Sequence, residues 1–442
     1  MPEQPDAGRA DRLERLFKVR ERGSTPRREG MAGLVTFLAM AYIIFVNPSI
    51  LAEAGMDRQA VIGATILASA FGTLLVGLWA NVPIAMAPGM GLNAFFAYTL
   101  VKGQGIAWET ALGVVFVSGA IFLLLTLTGV RTLVTRAIPM PLRIAIAGAI
   151  GLFITFIGFQ NLGLIVSDPV TLVTLGEFSP TLAVGLAGLL VIVVLEVRKI
   201  RGAMLIGIAM ATVLALLGGL VEWPEKYVSA PPSLGPVFLQ MDLAAALRWG
   251  MWSAVFSFMF VDLFDSVGTI VACAFQAGLV KEDGSIAKMG PILSSDAIAT
   301  VVGAALGTST TTCYIESGAG IAEGGRTGLA NVVTAALFLA ALFFTPLIGL
   351  VPTYATAPAL VVVGIYMFRN VSEIDFSDMA IAVPAFLLLI LMPLTYSISL
   401  AMCFGFISYV LCMAAAGKAR QVHPFMWVVA ALAVLDLTLQ MG

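Results

Sequence analysis

Residues 307–325 read Gly-Thr-Ser-Thr-Thr-Thr-Cys-Tyr-Ile-Glu-Ser-Gly-Ala-Gly-Ile-Ala-Glu-Gly-Gly, and residues 81–94 read Asn-Val-Pro-Ile-Ala-Met-Ala-Pro-Gly-Met-Gly-Leu-Asn-Ala. Each stretch begins with residues that disfavour a helix interior, five hydroxyl residues at 308–312 and two prolines respectively, and then reaches a Gly-x-Gly helix start. Both lie between long apolar runs. Broken backbone survives at membrane depth only where protein buries it or where it lines a cavity. The two stretches therefore predict discontinuous membrane segments around an internal site.

The rest of the chain is apolar enough to place these stretches in a bilayer. Of its 442 residues, 60% are hydrophobic and only 11% are charged, and the mean hydropathy is +0.99. A soluble protein carries roughly 25% charged residues. At roughly 20 residues per helical crossing, the apolar runs provide about fourteen spans, with residues 424–440 forming either one more span or an interfacial helix. We therefore predict an all-α polytopic membrane protein with about 14 transmembrane segments.

The positive charges set the orientation. Residues 1–30 form a basic tail without the apolar region of a cleavable signal, so this tail is predicted to be cytoplasmic. When each of the first fourteen runs crosses once, the inner side holds all but four of the 24 Lys and Arg residues, including Arg131 and Arg136. The positive-inside rule demands such a bias. We expect a multi-pass protein of a bacterial inner membrane with a cytoplasmic N-terminus.

The two broken stretches also resemble each other. An offset of 229 residues aligns residues 87–92 with 316–321 and superimposes their glycines. By the topology above, one stretch runs outward and the other inward. This pattern predicts an inverted repeat with two broken helices, which is the usual arrangement around a secondary-transporter site at the membrane midplane.

Motif searches argue against an enzyme. The sequence contains no GxxxxGK[ST] phosphate loop, no HExxH zinc motif and no GxSxG nucleophile motif. Its single histidine, His423, stands in a short linker, and its four cysteines lie in apolar runs without metal-ligand spacing. We therefore predict no catalytic residue, metal, cofactor or nucleic-acid partner, and transport driven by an ion gradient. A membrane-embedded enzyme or a channel would need a nucleophile with a base, or a continuous polar pore, and the sequence shows neither.

Residues 258–269 contain the strongest candidate site residues. Asp262, Asp265, Ser266 and Thr269 follow the i, i+3, i+4, i+7 spacing of one helix face within an apolar run. An aspartate at the bilayer centre costs about 2.5–3.5 kcal/mol, so two of them require a cavity, a partner or protonation. The alternative is that the two aspartates lie near a helix end and reach water there.

The two half-helices provide further candidates. Glu316 stands at a helix start, where free N–H groups and the positive end of the dipole stabilise an anion, although a simple helix cap is the alternative. Asn93 can both donate and accept, or act as a packing amide. Glu323 and Arg326 are predicted to form an i, i+3 ion pair. Asp296 is predicted to dock helices.

This lining predicts the class of ligand. Carboxylates, an amide, hydroxyls and aromatic rings without a basic residue favour a neutral, flat ligand with N–H donors, and they repel an anion. A nucleobase fits because a carboxylate accepts ring N–H hydrogens while a phenylalanine such as Phe258 or Phe260 stacks on the ring.

Four stretches in order resemble a known family. They are residues 31–48, 87–98, 261–265 and 309–328. Over residues 31 to about 416 the chain is similar to the azaguanine-type purine permeases, the adenine/guanine/hypoxanthine branch of the nucleobase/cation symporters. Cys313 departs from the pattern, because relatives often continue the threonine run there.

The resemblance implies import of adenine, guanine or hypoxanthine by proton symport, with an elevator motion and usually as a homodimer. It implies two inverted seven-segment repeats, at residues 31–221 and 242–416, which are divided between a core domain (31–128 and 250–350) and a gate domain (142–221 and 356–416). It also implies a site in which Asp262 and Glu316 bind the purine with support from Asn93 and Asp265. The full predicted substrate-binding set is Asp262, Glu316, Asn93, Phe260, Phe258 and Gly318, with Asp265 and Asp262 as proton-coupling candidates. Sodium coupling, a pyrimidine or xanthine permease, and a sulfate or bicarbonate transporter of related fold stay open.

Overall fold

The computed structural model describes residues 14–128, 138–281 and 285–441. Residues 1–13 of the predicted basic tail, and Arg131 and Arg136, lie outside the described residues. The described chain contains ten helical spans that are long and apolar enough to cross a membrane, and the two broken stretches and three shorter apolar helices add further segments. The predicted all-α, multi-pass membrane fold is confirmed.

The first half of the described chain contains a helical turn at residues 14–17, eight further helices, three strands and a π-helical turn at Phe95–Gly103. The helices are α1 (Pro26–Met40), α2 (Ile43–Ala52), α3 (Arg58–Trp79), α4 (Met90–Ala94), α5 (Trp108–Leu127), α6 (Met140–Asn161), α7 (Pro180–Val197) and α8 (Ala203–Leu217). The strands are β1 (Met86–Pro88), β2 (Ile165–Asp168) and β3 (Leu172–Leu175).

The second half of the described chain adds ten helices and one strand. The helices are α9 (Leu243–Ala246), α10 (Trp252–Ala277), α11 (Met289–Leu306), α12 (Ser317–Ala322), α13 (Gly328–Ala341), α14 (Thr345–Gly349), α15 (Thr353–Phe368), α16 (Met379–Thr395), α17 (Ile398–Ala415) and α18 (Pro424–Met441). The strand is β4 (Thr311–Cys313). Short 3₁₀ turns lie at Trp249–Met251, Leu342–Phe344, Arg369–Glu373 and Ala419–Gln421.

Helix α1 begins at Pro26, five residues before the predicted start of the first span. The Thr25 hydroxyl accepts a hydrogen bond from the Arg28 N–H, and proline at the first helical position needs no N–H partner. The end of the predicted tail is therefore already helical, because local capping rather than hydrophobicity sets this boundary.

The broken stretches have the predicted extended and helical parts. Strand β1 leads into α4, and strand β4 leads into α12. The half-helices begin at Met90 and Ser317. The alignment of Gly89 on Gly318 would instead pair Met90 with Ala319, two residues after the observed start. Gly89 is the residue before its half-helix, whereas Gly318 lies within the first turn. Matching glycines therefore located the repeat but misplaced its register.

A hairpin of β2 and β3 follows α6, although the apolar run at residues 142–166, one of the fourteen predicted spans, extends into β2. Gly163 adopts a φ of +76°, and its N–H bonds to the Gln160 carbonyl, which closes the helix end. The run is apolar enough for a helix, but the glycine ends it and the following residues pair as strands.

The long helices pack in two groups. Helices α1, α2, α3, α5, α10, α11, α12 and α13 contact one another, and α6, α7, α8, α15, α16 and α17 contact one another, with α18 on α17. The groups meet where α2 contacts α15, where α4 contacts α6, where α1 contacts α8, and where α10 contacts α6 and α17. The half-helix α4 of the first broken stretch thus lies at the boundary between two packed bodies.

Candidate functional site

Strands β1 and β4 cross as an antiparallel pair in the middle of the first helix group. Ala87 lies opposite Thr312, and the Gly89 N–H donates to the Thr310 carbonyl at 2.9 Å. At the other end, the Tyr314 N–H donates to the Ala85 carbonyl at 3.0 Å. Each broken segment thus satisfies backbone groups of the other, which explains how extended chain is stable at this depth.

Side chains from neighbouring helices bond the remaining backbone of the crossing. The Thr73 hydroxyl bonds to both the N–H and the carbonyl of Met86, and the Thr300 hydroxyl donates to the Thr311 carbonyl at 3.0 Å. A Cβ atom on Gly89 would lie 2.7 Å from Thr312 Cγ2, so glycine is required for the close passage. The crossing is therefore a rigid, preformed platform.

Three aspartates gather against this platform. Asp262 and Asp265 lie on α10 as predicted, and Asp296 of α11 joins them. Asp262 lies within electrostatic reach of both other carboxyls, and Asp265 lies within reach of Glu316. The acidic face predicted for α10 thus continues onto α11.

Asp296 was predicted to dock helices, and the structure assigns it a wider role. The Ser266 hydroxyl donates to Asp296 Oδ2 at 2.7 Å and lies 2.6 Å from the Thr312 hydroxyl. This chain of contacts links α10, α11 and β4. The signal that identified Asp262, a carboxyl within an apolar helix, applied equally to Asp296, because the same transfer cost attaches to both.

Two predicted site residues carry unsatisfied polar atoms. Asp262 is 2% exposed and Asn93 is fully buried. Among the described residues, no hydrogen-bond partner reaches Asp262 Oδ1 or either polar atom of the Asn93 amide. Buried polar groups are almost always paired, so unpaired ones mark a place where a ligand or water bonds. Asp262 and Asn93 therefore have the capacity to bind a polar ligand.

The two predicted stacking residues lie on different faces of α10. Phe258 is one turn from Asp262 and packs on Phe95 with ring centroids 4.9 Å apart. Phe260 instead stacks on Phe264 and lines a cavity beside α17 and α18. Residues two positions apart on a helix point roughly 200° apart. The structure therefore turns Phe260 away from Asp262, and Phe258 is the ring on the acidic face.

The Glu316 side chain lines a cavity of about 400 Å³. Gln276, Glu196 and Tyr366 line the same cavity. Glu316 Oε1 accepts a 2.5 Å hydrogen bond from the hydroxyl of Tyr42, which lies between α1 and α2. Sequence reasoning did not identify Tyr42, although a buried tyrosine usually has a hydrogen-bond partner. Glu316 does not act as a side-chain cap of α12.

The cavity also contains basic residues, which corrects the expectation of a lining without them. Lys199 and Arg201, in the loop between α7 and α8, and Arg369, directly after α15, line it. Arg201 forms an ion pair with Glu323. The predicted pairing of Glu323 with Arg326 is wrong, since Arg326 donates to the carbonyls of its own turn.

Gly318 lies in the first turn of α12, where an added Cβ atom would meet the Gln276 side chain at 2.8 Å. Gln276 lines the same cavity as Glu316. Within the described residues, no group of three or more His, Cys, Asp or Glu side chains is arranged to hold a metal ion. What the site offers a ligand is therefore hydrogen bonding and one aromatic face.

Comparison with known proteins places the chain among membrane permeases. The Permease family model matches residues 27–404. The chain is 43% identical over 426 residues to the adenine permease AdeP of Escherichia coli, covering 96% of each protein. It is 45% identical over 427 residues to the guanine/hypoxanthine permease PbuG of Bacillus subtilis, covering 94% of this chain and 97% of that protein.

Among solved structures, the transmembrane domain of the cyanobacterial bicarbonate transporter BicA has a similar fold. The TM-score is 0.63 at 14% identity, over 87% of this chain and 97% of that domain. At this identity the likeness concerns the fold alone, and it supports the inverted-repeat architecture predicted from the broken stretches.

Proposed function

The chain belongs to the Permease family and is a transporter rather than an enzyme, and from this premise we propose that it imports purine nucleobases by proton symport. Its relatives AdeP and PbuG are named for adenine and for guanine and hypoxanthine. These purines are the substrate class that we assign to this protein.

The observation that carries the proposal is the pair of unsatisfied polar groups on Asp262 and Asn93. A carboxylate oxygen accepts a purine N–H, and an amide both donates to a ring nitrogen or carbonyl and accepts from an N–H. Phe258 provides an aromatic face on the same side of α10. A neutral base with donors, acceptors and a flat ring uses all three features.

The cavity that Glu316 lines provides the route by which the base reaches this site. Its volume of about 400 Å³ lies within the range of roughly 300–1,000 Å³ found for small-molecule sites. The cavity opens beside Lys199 and Arg201, in the loop that the charge bias places in the cytoplasm. This arrangement corresponds to an inward-open transporter in which Glu316 is the first acidic contact for the base.

The acidic site argues against an inorganic anion as substrate. Asp262, Asp265 and Asp296 gather at the strand crossing, where a sulfate or bicarbonate would face three carboxyls. The basic residues of the cavity lie in the loop between α7 and α8 and at the end of α15 instead, and Arg201 is already paired with Glu323. Fold similarity to a bicarbonate transporter therefore does not extend to the chemistry of the site.

Proton coupling follows from the same carboxyls. Carrying ionised aspartates through a low-dielectric region is costly, and protonation removes that cost. Asp265, within electrostatic reach of Glu316, is the better candidate for the coupling proton, because Asp262 has the free oxygen for the base. Protonation from the outside and release to the inside would then make purine entry follow the proton gradient.

An elevator motion is the movement that we assign. The helix group holding both broken stretches acts as the core (31–128 and 250–350), and the other group acts as the gate (142–221 and 356–416). The Arg201–Glu323 ion pair joins the two groups on the predicted cytoplasmic side and must break when the core moves. We further propose a homodimer in a bacterial inner membrane with a cytoplasmic N-terminus.

Uptake competition tests the substrate class. Cells that lack their own purine permeases and express this protein should accumulate radiolabelled adenine or hypoxanthine. Unlabelled purines should compete, whereas uracil and sulfate should not. Competition by sulfate or uracil, without competition by purines, would overturn the assignment.

A further inference from the structure

Tyr42 occupies a break in the first span. Helix α1 ends at Met40 and α2 begins at Ile43, so the tyrosine lies between two helical pieces that together cross the membrane. Its side chain is fully buried, and its hydroxyl donates to Glu316 Oε1 at 2.5 Å. A buried tyrosine therefore bonds directly to one of the two acidic side chains, Glu316 and Glu196, that line the cavity.

Close packing on one side holds this pair together. Helix α1 lies so near α12 that a Cβ atom on Gly320 would overlap the Ala32 carbonyl and the Thr36 hydroxyl. The Thr334 hydroxyl also donates to the Gly33 carbonyl at 2.9 Å. Helix α1 cannot shift away from α12 without breaking these contacts.

The other side of the break is anchored as well. On α2, the Asn47 amide donates to the hydroxyls of Thr65 at 2.7 Å and Thr308 at 2.8 Å. Thr308 belongs to the extended stretch that leads into β4. Tyr42 is thus fixed from both directions relative to the broken segment that contains Glu316.

We propose that Tyr42 is a positioning residue that presents the Glu316 carboxylate to the purine. The hydroxyl holds one carboxylate oxygen and leaves the other for the ligand, so that the carboxylate is ordered before binding. This inference rests on the proposed function, in which Glu316 accepts a hydrogen bond from the base. The Tyr42 hydroxyl is bonded to protein, and its effect on the ligand passes through Glu316.

Tyr42→Phe removes one oxygen atom and keeps the ring. A freed carboxylate must be ordered again by the ligand, at a cost that corresponds to about a 2- to 12-fold weaker dissociation constant. Tyr354→Phe is the matched control, because among the described residues the Tyr354 hydroxyl has no hydrogen-bond partner. It should bind purine like the unchanged protein.

The Glu316→Gln background distinguishes positioning from a structural role. With Tyr42 present, the glutamine oxygen accepts from the tyrosine, and its NH₂ group faces the N–H of the base. With Tyr42→Phe added, the amide can rotate and offer its oxygen to the base. The tyrosine change should therefore weaken binding in the unchanged protein and strengthen it in Glu316→Gln.

Calorimetry with hypoxanthine measures this reversal on the purified unchanged protein, Tyr42→Phe, Glu316→Gln and the double variant. Thermal melting of the same proteins is measured alongside. Equal weakening by Tyr42→Phe in both backgrounds, or no effect in either, would overturn the positioning role. Failure of the unchanged protein to bind any purine would instead overturn the proposed function, so the two failures are distinguishable.

Discussion

Ser266 and Asp296 form a 2.7 Å hydrogen bond between α10 and α11, and this bond places a third carboxyl beside the two on α10. Asp262 lies within electrostatic reach of Asp296 and Asp265. Asp262 Oδ1 and Asp296 Oδ1 both lack a hydrogen-bond partner among the described residues, whereas Asp265 lies within electrostatic reach of Glu316. Such unequal surroundings give neighbouring carboxyls different tasks.

Asp262 and Asp265 should differ in what they control. Asp262→Asn should weaken equilibrium binding of purine, because it replaces the acceptor oxygen that has no partner among the described residues. Asp265→Asn should leave binding largely intact and instead slow accumulation or alter its pH dependence. Calorimetry on both variants, with uptake measured across roughly pH 5.5 to 8, separates the two effects. Equal losses of binding would show that the carboxyls act as one coupled pair.

Glu316→Gln should weaken purine binding by roughly 10- to 150-fold, the range expected for the loss of a hydrogen bond to a charged group. The side chain keeps its size and its Tyr42 contact, so thermal melting should hardly change. Ligand affinity, measured at normal expression, is the readout. Unchanged affinity would reduce Glu316 to a residue that only lines the cavity.

Asn93→Leu should separate stability from binding. The amide is fully buried, and no described residue pairs with it. A similar-sized apolar side chain therefore removes a polar group whose burial without a partner costs about 1–3 kcal/mol. The ligand-free protein should melt at the same or a higher temperature, while purine binding weakens by roughly 3- to 30-fold. A variant that melts much lower would show that Asn93 is a packing amide.

Gly320→Ala tests the close approach of α1 and α12. The added methyl group would overlap backbone and side-chain atoms of α1, and overpacking of this kind costs about 1–3 kcal/mol. Gly268→Ala is the control within α10, because nothing lies within 4 Å of its added Cβ atom. Thermal melting of the two purified variants should differ clearly. Equal melting temperatures would contradict the tight contact that positions Tyr42.

The sequence predicted the membrane fold because hydrophobic run length and positive charge act locally. It also located both broken stretches, since prolines, hydroxyl runs and glycine pairs are unfavourable within plain membrane helices. It missed the hairpin after Asn161, where a glycine ends an apolar helix. It also misplaced the repeat register, because glycines serve different positions in the two half-helices.

The site was only partly predictable. Helical spacing placed Asp262 and Asp265 on one face, and the same spacing turns Phe260 away from Asp262, where it stacks on Phe264. The contacts of Glu316 with Tyr42, and of Glu323 with Arg201, join residues far apart in the chain. Such pairs depend on how helices pack, which no local spacing rule encodes.

Accumulation by purified protein in liposomes tests the central claim most directly. The vesicles should be loaded with buffer alone and given an inward proton gradient, with radiolabelled hypoxanthine outside. We predict accumulation above the equilibrium level that a protonophore abolishes and that Asp265→Asn reduces. Accumulation that persists without a proton gradient and follows a sodium gradient would contradict proton symport, and no purine uptake under either gradient would contradict the substrate assignment.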